Sequence, residues 1–294
     1  MSDSLRGHLA MLCFSSLVAG SFSLGVLAAP HIAPAALNAL RFFLAALMVG
    51  AAAWATTGIP RSAFRAPWRY LLMGSVFASY FVLMFEGLKT AHPVSAAAVF
   101  TLVPVMSAGF GWLLLRQITT RRMALALSIG AVGAVWVIFR AELAALLRFE
   151  IGRGEWVYFW GCVAHALYTP MVPRLNRGEP AVVFSFGMLC AACLTVTIYG
   201  FNDIMATDWA ALPPIVWVTI LYVAVFASAV TFVLMQYASL RLPSAKVMAY
   251  TYLVPSWVIL WEIAMHGDLP PLAILGGVAL TMVSLLMLLK NEQA

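Results

Sequence analysis

The chain has 294 residues, 64% of them hydrophobic and 10% charged, with a formal net charge of +6 and a mean hydropathy of +0.96. A soluble protein of this length has no interior large enough to hide that much apolar surface, so lipid is its natural solvent and a water-soluble enzyme or scaffold is excluded. The basic balance does not point to nucleic acid, because the basic residues sit in short loops between apolar runs, where membrane topology accounts for them.

A bilayer core takes about 20 apolar residues per helix. Read in chain order, ten runs meet that length, at about 8–27, 35–57, 68–88, 94–115, 121–139, 155–173, 180–200, 213–237, 244–265 and 271–289. The first reads as a span leading into further spans, not as a cleaved leader. Turn-forming residues stand at the breaks: Gly58-Ile59-Pro60, His92-Pro93, Pro213-Pro214, Pro243 and Pro270-Pro271. The one long connection, from about Arg140 to Gly154, carries mixed charge and divides the chain into 1–148 and 149–294, with five spans each.

Lys and Arg set the orientation. With the N-terminus inside, one side holds Arg6, Arg61, Arg65, Arg69, Arg116, Arg121, Arg122, Arg174, Arg177, Arg241, Lys246 and Lys290, and the other only Lys89, Arg140, Arg148 and Arg153. Twelve against four predicts that both termini are cytoplasmic. An odd number of spans per half then makes the second half enter the membrane upside down relative to the first. The expected fold is an all-α polytopic membrane protein with ten transmembrane helices, built as two inverted five-helix repeats.

The halves also share words. Phe81-Val82-Leu83-Met84 returns 151 residues later as Phe232-Val233-Leu234-Met235, and Leu102-Val103-Pro104 returns at the same offset as Leu253-Val254-Pro255. With Ala78/Ala229 and Ala98/Ala249, 9 of 28 aligned positions are identical, without a gap. A period near half the chain is too long for a solenoid and matches the internal repeats of secondary transporters.

These residues resemble the drug/metabolite transporter superfamily, EamA-type. The resemblance rests on Leu40-Arg41-Phe42-Phe43-Leu44-Ala45-Ala46-Leu47 after Pro34, on Gly87-Leu88-Lys89 followed by Ala96-Ala97-Ala98 and Leu102-Val103-Pro104, on Ala238-Ser239-Leu240-Arg241 with Leu253-Val254-Pro255, and on Ala166-Leu167-Tyr168 through Arg174-Leu175. It covers essentially the whole chain and implies an inner-membrane carrier of small metabolites. Within the family the chain looks most like the bacterial exporters of aromatic and other amino acids. The family places Glu just beyond the fourth span of each half; here those positions are Gln117 and Asp268, so the resemblance assigns that position no coupling role.

Polar residues inside spans need a reason, because hydrocarbon penalises them. Arg41 either snorkels to the outer interface or takes a cavity-facing or helix-bridging role. Glu86 and Lys89 form a local ion pair or a substrate gate. Glu262, one turn before His266, is a third candidate for charge or coupling. Tyr158, Gly161, His165 and Tyr168 make a stripe on span six. With Asn38, Tyr80, Tyr250 and Trp257, the residues His165 and Tyr168 are expected to line an uncharged, aromatic substrate cavity, the alternative being hydrogen bonds between helices. Span eight offers Ser228 and Thr231, and span nine Tyr252 and Ser256. Pro104 and Pro255, at equivalent places in spans four and nine, are candidate hinges.

The expected function is secondary, non-ATP export of amino acids or similar small metabolites by alternating access. Carriage of other metabolites, drugs or nucleotide-sugars is the alternative, although polyanions would call for more buried cations than Arg41 alone. No H-E-x-x-H, G-x-S-x-G or Walker A pattern is present, so neither an intramembrane enzyme nor an ATP-driven pump is expected. Cys13, Cys162, Cys190 and Cys193 all fall in apolar runs. Cys190 and Cys193 form a C-x-x-C without a second pair, which reads as packing, so neither a metal nor a cofactor is expected. The expected partners are a small-molecule substrate and the lipid bilayer, in a bacterial inner membrane.

Overall fold

The computed structural model describes residues 3–139, 142–147, 151–267 and 271–289. Asp268 and the basic residues Arg140, Arg148 and Lys290 lie outside these. The described residues are helical, with no strand among them. In chain order they form α1 (Asp3–Ala28), α2 (Pro34–Thr56), α3 (Trp68–Gly87), α4 (Pro93–Phe100), α5 (Val103–Leu115), α6 (Arg121–Ile138), the short α7 (Leu143–Leu147), α8 (Arg153–Leu175), α9 (Ala181–Tyr199), the short α10 (Phe201–Ala206), α11 (Pro214–Ala224), α12 (Thr231–Ser239), α13 (Ser244–Ala249), α14 (Val254–His266) and α15 (Leu272–Leu289). A π-helical segment, Val225–Val230, joins α11 to α12, and a 3₁₀ turn, Tyr250–Leu253, joins α13 to α14.

Eight of the helical runs are long and apolar enough to cross a bilayer, counting α4–α5, α11–α12 and α13–α14 as one run each. The ninth is α15. The tenth, α8, has the length at 23 residues but is less apolar, because it carries Arg153, Glu155, His165, Arg174 and two prolines, Pro170 and Pro173. Its polar positions are mostly buried against other helices, Glu155 and His165 among them. Prolines start several helices: Pro34, Pro93 and Pro214 stand in the first turn of α2, α4 and α11, where a missing N–H costs nothing.

Ten helices give two halves of five, and the odd number makes the halves run in opposite directions. Their packing follows a two-fold relation. Helix α3 packs on α8 as α11–α12 pack on α1, and α5 packs on α8 as α14 packs on α1. Two further large contacts, α2 with α9 and α6 with α15, join each helix to its own counterpart. In α6 and α15, Gly133 and Gly277 permit close approach: a Cβ on Gly133 would fall 2.5 Å from the Gly277 carbonyl, and one on Gly277 would fall 2.7 Å from the Gly133 carbonyl.

The repeat reaches the helix ends. α5 and α14 have 13 residues each and stand 151 apart. Both are followed by a residue in the left-handed region, Arg116 at φ 55° and Gly267 at φ 76°. Glycine takes that conformation freely and arginine does not, so the geometry is set by the repeat and not by the local residue. The repeated Phe81 and Phe232 meet each other in the bundle interior, ring centroids 5.9 Å apart.

Candidate functional site: a buried arginine in an aromatic core

The centre of the bundle is aromatic because α3 and α8 press ringed faces together. Phe77 stacks on Tyr168 with centroids 4.2 Å apart and meets Phe232 at 4.7 Å. Gly161 brings α8 against the backbone of α3, where a Cβ would lie 3.0 Å from the Tyr80 carbonyl. The Tyr80 and Tyr158 hydroxyls sit 3.1 Å apart. His165 is enclosed by Tyr80, Phe77 and Phe100, at 4.5, 5.1 and 5.2 Å between ring centroids.

One side chain in this core carries a full charge. Arg41 of α2 is 0% exposed. Its Nε donates to Ser228 Oγ at 2.6 Å and its Nη2 to the Ala227 carbonyl at 2.6 Å. Nη1 donates a long bond to Asn38 Oδ1 at 3.5 Å. The guanidinium carbon stands 3.7 Å from the centre of the Phe81 ring, a cation–π contact. Both Ser228 and Ala227 belong to the π-helical segment. A π turn widens the backbone spacing, which makes carbonyls such as that of Ala227 available to a side chain on a neighbouring helix. Asn38 is itself held by bonds from its Nδ2 to the carbonyls of Pro34 and Phe81, at 2.9 and 3.4 Å.

A cavity of about 10 Å³ lies beside Arg41, lined by α1, α2, α3, α8 and the α11–α12 run. That is about the room one water molecule needs. Ser21, Arg41, Tyr80, His165 and Thr231 are among its walls. Ser21 Oγ, both ring nitrogens of His165 and Thr231 Oγ1 are buried there without a protein hydrogen-bond partner. Native interiors rarely leave that many polar atoms unpaired in one place.

The expected site residues therefore divide. Arg41, Tyr80 and His165 line the cavity, and Asn38 supports Arg41 from behind. Tyr168 is buried one layer away, where its hydroxyl accepts a bond from Gln236 Nε2 at 2.5 Å. Tyr250 faces α1, with its hydroxyl 3.1 Å from His8 Nδ1, and Trp257 donates from Nε1 to Ser15 Oγ of α1 at 3.3 Å. Tyr250 of the 3₁₀ turn and Trp257 of α14 thus both pack on α1 and are not among the residues lining the cavity. Glu86 and Lys89 pair at 2.6 Å, partly exposed, where α3 ends, and Glu262 lies 3.4 Å from His266 in the last turns of α14. Pro104 and Pro255 each stand in the first turn of the second segment of a broken span, buried, with α4 ending before one and the 3₁₀ turn before the other.

Several residues of the site escaped the sequence reading. Phe77 and Ser21 carry no signal beyond apolar and small-residue runs. The π segment is made of ordinary residues and is equally silent. Gln236 had a signal: an amide directly after the repeated Phe-Val-Leu-Met, where the first copy has Phe85. So did Glu179, the single carboxylate in the inter-span loops of the arginine-rich end. It pairs with Arg69 at 2.6 Å, the two side chains 5% and 1% exposed. Arg69 also donates from Nη1 to the Leu175 carbonyl at 2.5 Å, and the Arg177 N–H donates to Glu179 Oε2 at 2.6 Å. Burial alone pushes the Glu179 carboxyl up, but the hydrogen bonds from Arg69 and Arg177 and the charge of Arg69 outweigh it and hold the group below its ordinary 4.5.

Comparison with known proteins agrees with this architecture. The sequence pattern of the EamA-like transporter family, a family of paired repeats here, matches residues 5–139 and again 152–290. A curated relative, "Uncharacterized transporter YyaM" of Bacillus subtilis (strain 168), is 24% identical over 277 residues, spanning 93% of this chain and 90% of that protein. A solved structure described only as "Crystal structure of protein" superposes with a TM-score of 0.73 at 21% identity, covering 97% of this chain and 96% of that one. The last likeness concerns the fold alone.

Proposed function

The chain belongs to the EamA-like transporter family, and on that premise we propose that it exports neutral, mostly aromatic or apolar amino acids and related small metabolites by alternating access, without ATP. One observation carries the reading: the interior of a ten-helix inverted repeat is aromatic and places the guanidinium of Arg41 beside a small cavity with unpaired polar atoms. Aromatic walls bind an apolar side chain, and a few placed polar groups fix its polar end. Binding sites for small molecules run to about 300 Å³ or more, so a cavity of about 10 Å³ must widen by helix separation to admit a solute. In an inverted repeat that separation has two symmetry-related forms, one opening to each side. The broken spans at Pro104 and Pro255 supply places where bending is cheap, because the helical hydrogen-bond ladder is interrupted just before each proline. The arginine bias of one end supports a reading with both termini on the cytoplasmic side of a bacterial inner membrane.

The test is transport by the purified protein in liposomes, using labelled phenylalanine, tyrosine, leucine and threonine, with and without a pH gradient. Uptake or counterflow of at least one aromatic amino acid in the absence of nucleotide is the expected result. Dependence on ATP hydrolysis, or no movement of any amino acid, overturns the reading.

A further inference from the structure

A guanidinium taken out of water is costly unless a charge and hydrogen bonds replace its hydration. The partners of Arg41 are all neutral: a serine hydroxyl, a backbone carbonyl, a long bond to an amide and an aromatic face. Arg69–Glu179, Glu86–Lys89 and Glu262–His266 form ion pairs, and none of these involves Arg41. A guanidinium has five N–H donors in a planar fork. Three of them have acceptors here, leaving one on Nη1 and one on Nη2. The unpaired Ser21 Oγ, Thr231 Oγ1 and His165 ring nitrogens open onto the same cavity.

We propose that Arg41 is the carboxylate receptor of the central site and that the transported class is monocarboxylates with an apolar body. The carboxylate takes the two remaining guanidinium N–H groups. Ser21, Thr231 and His165 supply further hydrogen bonds, and the rings of Phe77 and Tyr80 face the apolar body. Charge fixes the class. No acidic residue lines this cavity, so a ligand bearing only an ammonium group meets Arg41 as a like charge. No second Arg or Lys lines it either, so a dianion such as a phosphate monoester leaves a charge uncompensated. The inference rests on the transporter reading but does not require that the substrate be an amino acid.

The experiment compares four probes of similar shape on the full-length protein in detergent: 3-phenylpropionate, L-phenylalanine, 2-phenylethylamine and 3-phenyl-1-propanol. A ligand that binds the folded protein raises its melting temperature, by an amount that grows with the logarithm of one plus concentration over Kd. The first two, which carry a carboxylate, are expected to stabilise it, and the amine and the alcohol are not. Charge-assisted hydrogen bonds of this kind are worth roughly a ten- to hundredfold in affinity, so Arg41→Gln is expected to weaken 3-phenylpropionate binding by that factor and Arg41→Lys by less. Should Arg41→Gln fail to fold, the four-probe comparison on the unaltered protein decides the matter. Equal binding of the amine, no binding of either carboxylate, or unchanged binding by a folded Arg41→Gln protein overturns the proposal. If 3-phenylpropionate binds through Arg41 while no amino acid is transported, the carboxylate site stands and the amino-acid reading falls. Transport of phenylalanine and its amide at equal rates gives the opposite result.

Discussion

At the arginine-rich end of the bundle, Arg69 in the first turn of α3 reaches across to Glu179 in the α8–α9 loop and ties the first repeat to the second through a buried ion pair at 2.6 Å. At the opposite end the positions related by the repeat are Ile220, 151 residues after Arg69, and Ala33, 146 residues before Glu179. Ile220 is buried in apolar packing with Leu37 and Val216, and the nearby Glu86–Lys89 pair is partly exposed and confined to one helix. One backbone plan thus closes its two ends by different forces. Closure at the first end depends on charge-assisted bonds with a fixed geometry, whereas closure at the second depends on apolar burial, which has no preferred direction. The two ends of one repeat plan are thus held by contacts of unequal directionality, and the helices differ too, since α3 is continuous where α11–α12 is interrupted by the π segment.

The comparison is broken most directly by Arg69→Ala. Removing one member of a buried pair leaves the other charge unpaired and costs about 3 kcal/mol, so melting of the purified protein is expected to drop sharply, and the arginine-rich end is expected to become more accessible to thiol reagents at a cysteine introduced in the α8–α9 loop. A Glu179→Ala change in the same background should add little, since the partners act as a unit. Additive losses would show that the pair does not couple the two repeats.

A second test uses the glycine contact shared by both repeats. Gly277→Ala puts a methyl group 2.7 Å from the Gly133 carbonyl, and overpacking of that kind costs about 1–3 kcal/mol. Because α6 and α15 lie away from the cavity, stability is expected to fall while substrate affinity stays within about twofold of the unaltered protein. A change in affinity larger than the change in stability would place these helices in the transport path.

The prolines probe what the two repeats share. Pro104→Ala and Pro255→Ala are each expected to slow turnover several-fold with little change in binding, because alanine lets the two segments of the span join into one stiffer helix, which proline forbids. Single-turnover and steady-state counterflow separate the two effects. Wild-type turnover in both variants would remove the hinge role.

The pH test is narrower. Glu179 is held below its ordinary 4.5 in the folded protein, so its contribution to stability is complete above that value and is lost as pH falls through the lowered one. Melting temperature plotted from pH 7 to pH 3 should therefore fall less steeply for Glu179→Gln than for the unaltered protein. The smallest effect is expected at the opposite end, where Glu86→Ala or Lys89→Ala should change stability by no more than about 0.5 kcal/mol, as for exposed helix pairs. A large loss there would make the two ends alike and end the comparison.

Much of the architecture was legible before any coordinate. The span read at 68–88 is α3 at Trp68–Gly87, and the span at 121–139 is α6 at Arg121–Ile138, because apolar runs of membrane length bounded by Gly and Pro leave few alternatives. The repeated words located the equivalence of α5 with α14 to the residue. The cavity was legible only in part. Arg41 and His165 stood out because charge and imidazole are expensive in an apolar run, but Tyr250 and Trp257 looked the same in sequence and turn instead toward α1.

Composition, run length and an exact internal echo determined that the chain spans a membrane ten times as two inverted units, since hydrophobic length and repeat are local properties of the string. Tertiary structure alone decided that Arg41 meets the π segment 187 residues away in place of an acid, that Arg69 finds Glu179 across 110 residues, and that the aromatic rings close around a cavity the size of one water. The physical reason is that a helix fixes which residues share a face but not which neighbour that face will meet. Pairing between faces is settled by packing in three dimensions, and the partners of every buried polar group are settled with it.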